Sequence, residues 1–130
     1  MIASLQCTVL DCADPAALAR FYGALLGGDV DRPDARWSLD ADWSTLHTPT
    51  GQVLAFQRVA DHRPPTWPHP DRPQQFHLDL EVPDLDRAHD AVLALGARFL
   101  DAGPPQGGWQ VYADPAGHPF CLVRHAGGVR

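Results

Sequence analysis

Several residue types are missing or scarce in this sequence of 130 residues, and each shortage excludes a class of function. No lysine occurs among the ten basic residues, so Schiff-base chemistry on a lysine amine is excluded. The arginines are scattered singly in a chain with a net charge of −6, which argues against nucleic acid as a partner. The three cysteines form an odd number without a Cys-x-x-Cys pair, which predicts free thiols rather than disulfides.

Long apolar segments are also missing. No run reaches the roughly eighteen apolar residues that a membrane-spanning helix needs. The first residues, Met1 to Ser4, lack the basic start and apolar stretch of a signal peptide. Hydrophobic residues make up 45% of the chain, which is enough for the core of one domain of this length. These features predict a single cytoplasmic domain without a membrane partner.

Two related halves follow one another along the chain. In each half a short strand-like run ends at an aspartate, Asp14 or Asp84, that can cap the first turn of a helix. Apolar spacing predicts helices from residue 15 to about Leu26 and from residue 85 to about Leu95, and a glycine follows each of them. Each half closes with a turn that contains proline and glycine, followed by a last strand.

The remaining strands complete a βαβββ pattern in each half. Between the halves, residues 60–74 contain five prolines and form a stiff connector. The predicted organisation is one α+β domain with a first module at about 1–59, the connector at 60–74 and a second module at about 75–126. The strands after each helix are predicted at Arg36–Asp40, Ser44–Thr48 and Gln52–Val59 in the first half and at Arg98–Asp101, Trp109–Ala113 and His118–Arg124 in the second, whose opening strand is Phe76–Val82.

Three stretches carry a resemblance to a known family. They are Asp-Pro-Ala-Ala-Leu-Ala-Arg-Phe-Tyr at 14–22, the strand of His77 that runs into Val-Pro-Asp-Leu at 82–85, and Asp-Pro-Ala-Gly-His-Pro-Phe at 114–120. In these stretches the chain resembles the glyoxalase/bleomycin resistance protein/dioxygenase superfamily, also called the vicinal oxygen chelate proteins. The resemblance implies two βαβββ modules that pair into an incurved β-sheet cup, with the helices on the outer face and a small organic molecule inside.

The resemblance also implies a homodimer, because such proteins commonly dimerise. Tryptophan is enriched at protein interfaces, and four tryptophans are more than a small acidic domain needs for its own core. A two-fold symmetric dimer is the commonest closed arrangement. The tryptophans are Trp37, Trp43, Trp67 and Trp109.

Alternation along the strands predicts which residues face the cup. In the strand Phe76–Val82, His77 and Asp79 alternate with apolar residues that must meet a helix, so the polar set faces the cup. Because the second half repeats the first, the same alternation assigns cup-facing positions on the other strands. Trp67 in the connector is interpreted either as part of a lid over the cup or as an anchor of the connector or of a dimer contact. The predicted ligand-binding residues are Cys7, Ala55, Gln57, Trp67, His77, Asp79, Cys121 and Val123.

The resemblance further implies where a metal would bind. Metal-dependent relatives hold a divalent ion with His and Glu from the first and last strands of each module. The matching positions here are Cys7, Ala55, His77 and Cys121, of which only His77 keeps its usual residue. Glu81, the sole glutamate, cannot supply the missing pair, so we expect no metal cofactor. A soft zinc site of Cys7, His77 and Cys121 stays open as an alternative to two buried, inert cysteines.

The predicted function is therefore the binding of a small, largely apolar organic molecule by a glyoxalase/bleomycin-resistance-like protein with a degenerate metal site. His77 is expected to contact the ligand, and its ordinary pKa near neutrality would also suit a general base. Two alternatives stay open: a metal-dependent lyase, isomerase or dioxygenase of the same superfamily, and a dimeric protein-interaction module. The histidines outside the predicted cup are interpreted as solvated, namely His47, His89, His118 and His125.

Overall fold

The computed structural model describes residues 1–124 of the chain. They fall into two compact units, Met1–His62 and a second unit that begins at Arg63, so most of the predicted connector belongs to the second unit. Each unit contains one helix and one four-stranded mixed sheet in the order βαβββ, which confirms the predicted α+β class. Residues 125 and 126 of the predicted second module, His125 among them, lie outside the described residues.

The first module forms a sheet of order β1-β4-β3-β2. β1 runs parallel to β4, and the other neighbours are antiparallel. Because parallel neighbours need a crossover connection, α1 lies within the connection between β1 and β4. The elements are β1 (Thr8–Cys12), α1 (Pro15–Leu26), β2 (Asp29–Val30), β3 (Trp43–His47) and β4 (Val53–Arg58).

The second module repeats this arrangement with the sheet order β5-β8-β7-β6. β5 runs parallel to β8, and the other neighbours are antiparallel. Within residues 1–124, no helix has the length and apolar character needed to span a bilayer. The elements are β5 (Leu78–Val82), α2 (Leu85–Ala94), β6 (Arg98–Asp101), β7 (Trp109–Ala113) and β8 (Pro119–Arg124).

Both helices begin at the aspartates that the sequence predicts as caps. The Asp14 carboxylate accepts a hydrogen bond from the backbone N–H of Ala17 at 3.1 Å. The Asp84 carboxylate accepts the equivalent bond from Arg87, also at 3.1 Å. Each bond satisfies one of the free N–H groups in the first turn, which fixes where the helix starts.

The exit from α1 depends on a glycine that passes very close to β3. Gly28 has a φ of +95°, a conformation that residues with a side chain rarely adopt. A Cβ at this position would stand 2.1 Å from the carbonyl oxygen of His47. Glycine therefore lets the chain turn directly from the helix into β2 beside β3.

Each helix covers one face of its own sheet. In the first module, Tyr22 of α1 stacks on Phe56 of β4 with ring centroids 5.8 Å apart, and both side chains are fully buried. In the second module, Tyr112 of β7 stacks on Phe120 of β8 at 5.7 Å, and the Tyr112 hydroxyl lies 2.7 Å from Nδ1 of His89 in α2. These aromatic pairs mark the helix-covered face of each sheet, and we call the opposite face the helix-free face.

The segment between β2 and β3 corrects one predicted strand. A strand is predicted at Arg36–Asp40, but residues 31–42 form a loop, and the second strand is Asp29–Val30. Asp34 explains part of the difference, because its carboxylate accepts hydrogen bonds from the backbone N–H and the guanidinium of Arg36. Such local bonds compete with the pairing of a strand. The other predicted elements lie within two residues of those observed.

Candidate functional site

Strand register places three side chains of the second module side by side. Asp79 of β5 pairs with Cys121 of β8, which pairs with Val111 of β7. The neighbouring row contains Phe120 and Tyr112, which lie on the helix-covered face. Because successive side chains of a strand alternate, Asp79, Cys121 and Val111 lie on the helix-free face.

His77, Asp79 and Cys121 form a cluster on this face. His77 precedes Asp79 by two residues, and its Nε2 lies 3.2 Å from Asp79 Oδ1. One ligand atom from each of the three residues lies within 4.8 Å of the other two. The side chains of His77 and Asp79 are 34% and 35% exposed, whereas Cys121 is buried. An imidazole, a carboxylate and a thiol therefore meet at the boundary between the sheet interior and solvent.

A pocket of about 160 Å³ lies beside this cluster. His77 and Cys121 form part of its lining, and the indoles of Trp67 and Trp109 form another part. An apolar cavity of about 150 Å³ holds one benzene ring, so this pocket has the volume of a single small ring. The lining consists of Trp67, Gln74, His77, Trp109, Val111, Pro119 and Cys121.

The proline-rich connector positions Trp67 through a closed loop. The backbone N–H of Thr66 donates to the carbonyl of Arg72 at 2.7 Å, and the N–H of Arg72 donates to Thr66 Oγ1 at 3.0 Å. The Arg72 guanidinium also donates to the carbonyl of Pro64 at 3.0 Å. A Cβ on Gly117 would stand 2.3 Å from Pro64, so the turn before β8 packs tightly on the start of the connector. Trp67 thus projects from an ordered loop.

Gln74 lines the pocket and carries an unpaired polar atom. Its Oε1 is buried and has no hydrogen-bond partner among the described residues. A buried acceptor without a donor costs roughly 1–3 kcal/mol. A bound molecule that offers an N–H or O–H group here would remove that cost.

The helix-free face of the first module carries a row of polar atoms on β3. Trp43 lies opposite Gln57 of β4, and Thr45 lies opposite Ala55. Trp43 Nε1, Thr45 Oγ1 and His47 Nδ1 are buried without a hydrogen-bond partner among residues 1–124. These three atoms come from alternate residues and so lie on one side of the strand.

The loop between β2 and β3 packs against this row. Asp34 Oδ2 lies 3.4 Å from Nε2 of His47, and the Trp37 ring meets the His47 ring edge-on at 5.9 Å. Hydrogen bonds from Arg36 hold the pKa of Asp34 well below its usual range. The interpretation of His47 as solvated is therefore wrong, because the loop leaves only 4% of this residue exposed.

The structure brings most of the predicted second-module residues together. Trp67, His77 and Cys121 line the pocket, and Asp79 joins them through the cluster. Val123 lies further along the helix-free face of β8, where it is half-buried. Their role as ligand contacts stays a prediction.

The predicted first-module residues lie on the helix-free face of their own sheet or next to it. Cys7 is half-buried just before β1, and Ala55 is fully buried in β4. Gln57 is exposed and lines a hollow of about 450 Å³ together with Trp43 and Arg58. That Gln57 and His77 face one concave site is still a prediction.

Four pocket residues are missing from the predicted ligand contacts. Trp109 and Val111 have a sequence signal in the alternation of β7, which places both on the helix-free face. Pro119 begins β8 at the same parity as Cys121. Gln74 has no comparable signal, because it lies in the connector outside any strand.

The metal positions implied by the resemblance do not fit a hard divalent cation. Ala55 carries no donor atom, and Cys7 and Cys121 offer sulfur where metal-dependent relatives use His or Glu. Hard cations such as Mg²⁺ and Ca²⁺ prefer oxygen ligands. The cluster within the second module contains His77 and Cys121 of the predicted soft set together with Asp79.

Two βαβββ modules, with His77 beside the first strand of the second, define a protein of the vicinal oxygen chelate type. The family model described as "Glyoxalase-like domain" matches residues 7–123, and the chain belongs to this family. No curated protein matches the chain.

Solved structures share the fold over nearly the whole chain. A hypothetical protein from S. aureus is 20% identical with a TM-score of 0.68, covering 96% of this chain and 99% of its own. Fosfomycin resistance protein FosX from Listeria monocytogenes is 16% identical with a TM-score of 0.68, covering 97% and 96%. A glyoxalase/bleomycin resistance protein/dioxygenase family enzyme from Burkholderia phytofirmans is 16% identical with a TM-score of 0.67, covering 94% and 98%. A mutant of the Listeria protein was solved with Mn(II) and 1S,2S-dihydroxypropylphosphonic acid.

Proposed function

We propose that this glyoxalase-like protein binds a small organic molecule and that its second module holds one ring-sized, largely apolar part of it. The observation that carries the proposal is a pocket of about 160 Å³ lined in part by Trp67, Trp109 and Gln74, whose buried side-chain oxygen has no hydrogen-bond partner among the described residues. Flat apolar groups gain both burial and ring–ring contact against indoles. The ligand is therefore an aromatic or similarly flat molecule.

Gln74 gives this pocket its preference among flat ligands. Its buried acceptor favours a ligand that carries an N–H or O–H group, and His77 is the second polar group that orients the ligand. One neutral hydrogen bond contributes about 1 kcal/mol, which corresponds to a roughly fivefold change in affinity. A hydroxylated ring is thus preferred over the same ring with a methyl group.

Phenol and toluene are suitable probes, because they have the same ring and differ in the donor. Ligand-observed NMR titrations should give a dissociation constant about fivefold lower for phenol than for toluene. Gln74→Leu should remove this preference while toluene still binds. Gln75→Leu, at the exposed neighbouring residue, is the matched control and should keep the preference.

Two results would overturn this proposal. One is the absence of saturable binding of either probe, which would mean that the pocket is not a binding site. The other is an unchanged preference for phenol in Gln74→Leu, which would mean that this amide is not the selective group. Trp67→Ala should weaken both probes alike, because it removes a wall of the pocket and no hydrogen bond.

We also propose, from the family resemblance, that the predicted residues outside this pocket take part in binding. On this proposal Cys7, Ala55 and Gln57 of the first module and Val123 of the second contact the part of the ligand that extends beyond the ring. A crystal structure with a bound aromatic ligand larger than phenol tests this. Ligand contacts confined to the second module would refute it.

A metal-dependent lyase, isomerase or dioxygenase is the less favoured alternative. FosX from Listeria is described with Mn(II), but the chain offers no donor at Ala55 and only one glutamate for such a hard cation. Binding without hard-cation chemistry is therefore the better account of this site.

We further propose that the protein is a homodimer in a reducing compartment such as the cytoplasm. Exposed apolar side chains support an interface: Leu5 is 90% exposed and Phe76 is 64% exposed. The three cysteines, none of which is paired in a disulfide, suit a reducing environment. Light scattering coupled to size exclusion at micromolar concentration should give twice the chain mass of 14.2 kDa, and a monomeric mass would refute the dimer.

A further inference from the structure

The cluster of His77, Asp79 and Cys121 has a chemistry that the binding of an apolar ring does not use. We propose that these three side chains form a zinc-binding site contained entirely in the second module. The inference deepens the proposed function, on which it rests for the pocket that the metal would face. Its geometry and chemistry stand on the cluster itself.

The spacing of the three donors suits a zinc ion after a small contraction. Zinc binds His, Asp and Cys at about 2.0–2.3 Å, so the donors of a tetrahedral site stand about 3.3–3.7 Å from one another. The donor atoms of the cluster lie within 4.8 Å of one another, and the distance from His77 to Asp79 is already 3.2 Å. Side-chain rotations that move the donor atoms by about one ångström would allow all three to bind one ion.

The donor types select zinc over the cations that oxygen-rich sites hold. Nitrogen, oxygen and sulfur donors together form a borderline-soft set, and zinc accepts all three. Mg²⁺ and Mn²⁺ prefer sites built from carboxylate, carbonyl and water oxygens. The cysteine at position 121 therefore changes the metal preference of the site, which agrees with the poor fit to a hard cation.

The backbone holds two of the three ligands in place. Asp79 and Cys121 are register partners on hydrogen-bonded neighbouring strands, and His77 follows the parity of Asp79. Cys121 is buried and lies on a strand with a neighbour on each side, which restricts its movement. Two of the three donors are therefore arranged by the sheet, and His77 stands at the residue just before it.

Three protein ligands leave a fourth position on a tetrahedral ion. His77 and Cys121 both line the pocket, so this position would face the space that holds the ring. Zinc sites with three protein ligands and one open position bind water or a ligand atom there. A bound ligand with an oxygen or nitrogen donor would then be held by the ion as well as by the pocket wall.

Metal titration of the full chain tests the proposal. The protein is first stripped of metal with a chelator under reducing conditions, and Zn²⁺ binding is measured by competition with a chromophoric chelator. Co²⁺ serves as a spectroscopic substitute, because a cysteine sulfur bound to Co²⁺ gives a charge-transfer band in the near ultraviolet. We expect one Zn²⁺ per chain, a sulfur-to-cobalt band, and displacement of Co²⁺ by Zn²⁺ but not by Mn²⁺.

Substitutions identify the ligands. Cys121→Ser should remove the charge-transfer band. His77→Gln and Asp79→Asn should each weaken Zn²⁺ binding at least tenfold, because a tenfold loss is already the lower limit for residues that only support a metal ligand. Glu81→Gln is the matched carboxylate control, because Glu81 is two residues further along β5 on the same face. Cys12→Ala is the thiol control on the first module, and both controls should bind within twofold of the parent protein.

Three results would overturn the zinc site. They are the absence of stoichiometric Zn²⁺ binding, a preference for Mn²⁺ over Zn²⁺, and a loss of the cobalt band in Cys7→Ser as complete as in Cys121→Ser. The last result would mean that the ligand set is not contained in the second module. Asp79→Asn changes an exposed residue, and circular dichroism can verify that it folds, so its result is informative even if Cys121→Ser unfolds.

The two proposals fail in distinguishable ways. The preference for phenol over toluene is measured on the metal-stripped protein and depends on Gln74. Zinc binding is measured without any organic probe and depends on Cys121. If the phenol preference is absent but zinc binds, the protein has a metal site beside an unused pocket. If zinc does not bind but the phenol preference is present, the protein has a binding pocket beside an ordinary ion pair and a buried thiol.

Discussion

Replacing Tyr112 with phenylalanine removes one oxygen atom from the interior of the second module. The Tyr112 side chain is fully buried, and its hydroxyl donates to Gln110 Oε1 at 2.8 Å. Nδ1 of His89 lies 2.7 Å from the same hydroxyl and forms a second hydrogen bond with it. Losing these two hydrogen bonds should lower the free energy of unfolding by about 1–3 kcal/mol at neutral pH.

The same hydroxyl should make the stability of the protein depend on alkaline pH. Burial, with a smaller contribution from the charge of Asp90, raises the pKa of Tyr112 to about 12 from its ordinary value of 10.0. Between these two values the folded protein keeps a proton that the unfolded chain has released. The free energy of unfolding therefore falls as the pH rises through this window, by about 2–3 kcal/mol in total.

Urea unfolding of the parent protein and of Tyr112→Phe at pH 8 and near pH 12 measures both effects. The parent should be the more stable protein at pH 8, and its advantage should shrink by about 2–3 kcal/mol at the higher pH. The other titrating groups are common to both proteins and cancel in the difference. An advantage that stays constant across the window would refute the assignment of a raised pKa to this hydroxyl.

Three further substitutions test other parts of the structure. Asp14→Ala should lower the free energy of unfolding by about 1 kcal/mol through loss of the helix cap, whereas Asp14→Asn should cost much less, and equal losses in thermal melts would contradict the capping role. Gly28→Ala should destabilise the protein more than Gly51→Ala in the same assay, because both glycines have a positive φ but only Gly28 approaches the carbonyl of His47. Equal effects would show that this contact is unimportant. Asp34→Asn should reduce the dependence of the free energy of unfolding on acidic pH, because the lowered pKa of Asp34 contributes stability above about pH 4 that is lost as the pH falls further. An unchanged pH dependence would refute this.

Local signals explain why so much of the fold is predictable. Asp14 and Asp84 mark the helix starts because a cap acts within three residues, and the structure shows both bonds. Strand alternation predicts the side of the sheet for His77, Asp79 and Cys121, because the period of two is a property of the backbone itself. These predictions need no knowledge of distant contacts.

The errors arise where distant side chains decide the outcome. His47 becomes buried because Asp34 and Trp37 pack against it from a loop that the sequence predicts as a strand. His89 lies on a helix and looks solvated in the sequence, but it contacts Tyr112 of β7, whose hydroxyl is a buried partner. No pattern along the chain reports either contact, since each joins a residue to another element.

The candidate site shows the same division. Parity predicts that His77, Asp79 and Cys121 share a face, and the register between β5 and β8 places Asp79 and Cys121 side by side in one cluster. That register is set by hydrogen bonding between two strands whose residues are far apart in sequence. Gln74 enters the pocket from the connector, where neither periodicity nor repeat symmetry predicts an orientation.

The proposed zinc site does not depend on a donor at Ala55. A site that draws ligands from both modules loses its geometry when either module loses one. The cluster of His77, Asp79 and Cys121 takes all three donors from β5, the residue before it, and β8, so its geometry depends on a single parallel strand pair. Ala55 belongs to the other sheet, in the row that contains Val9 and Thr45. The proposed zinc site therefore depends on the second module alone, whatever residue occupies position 55 of the first.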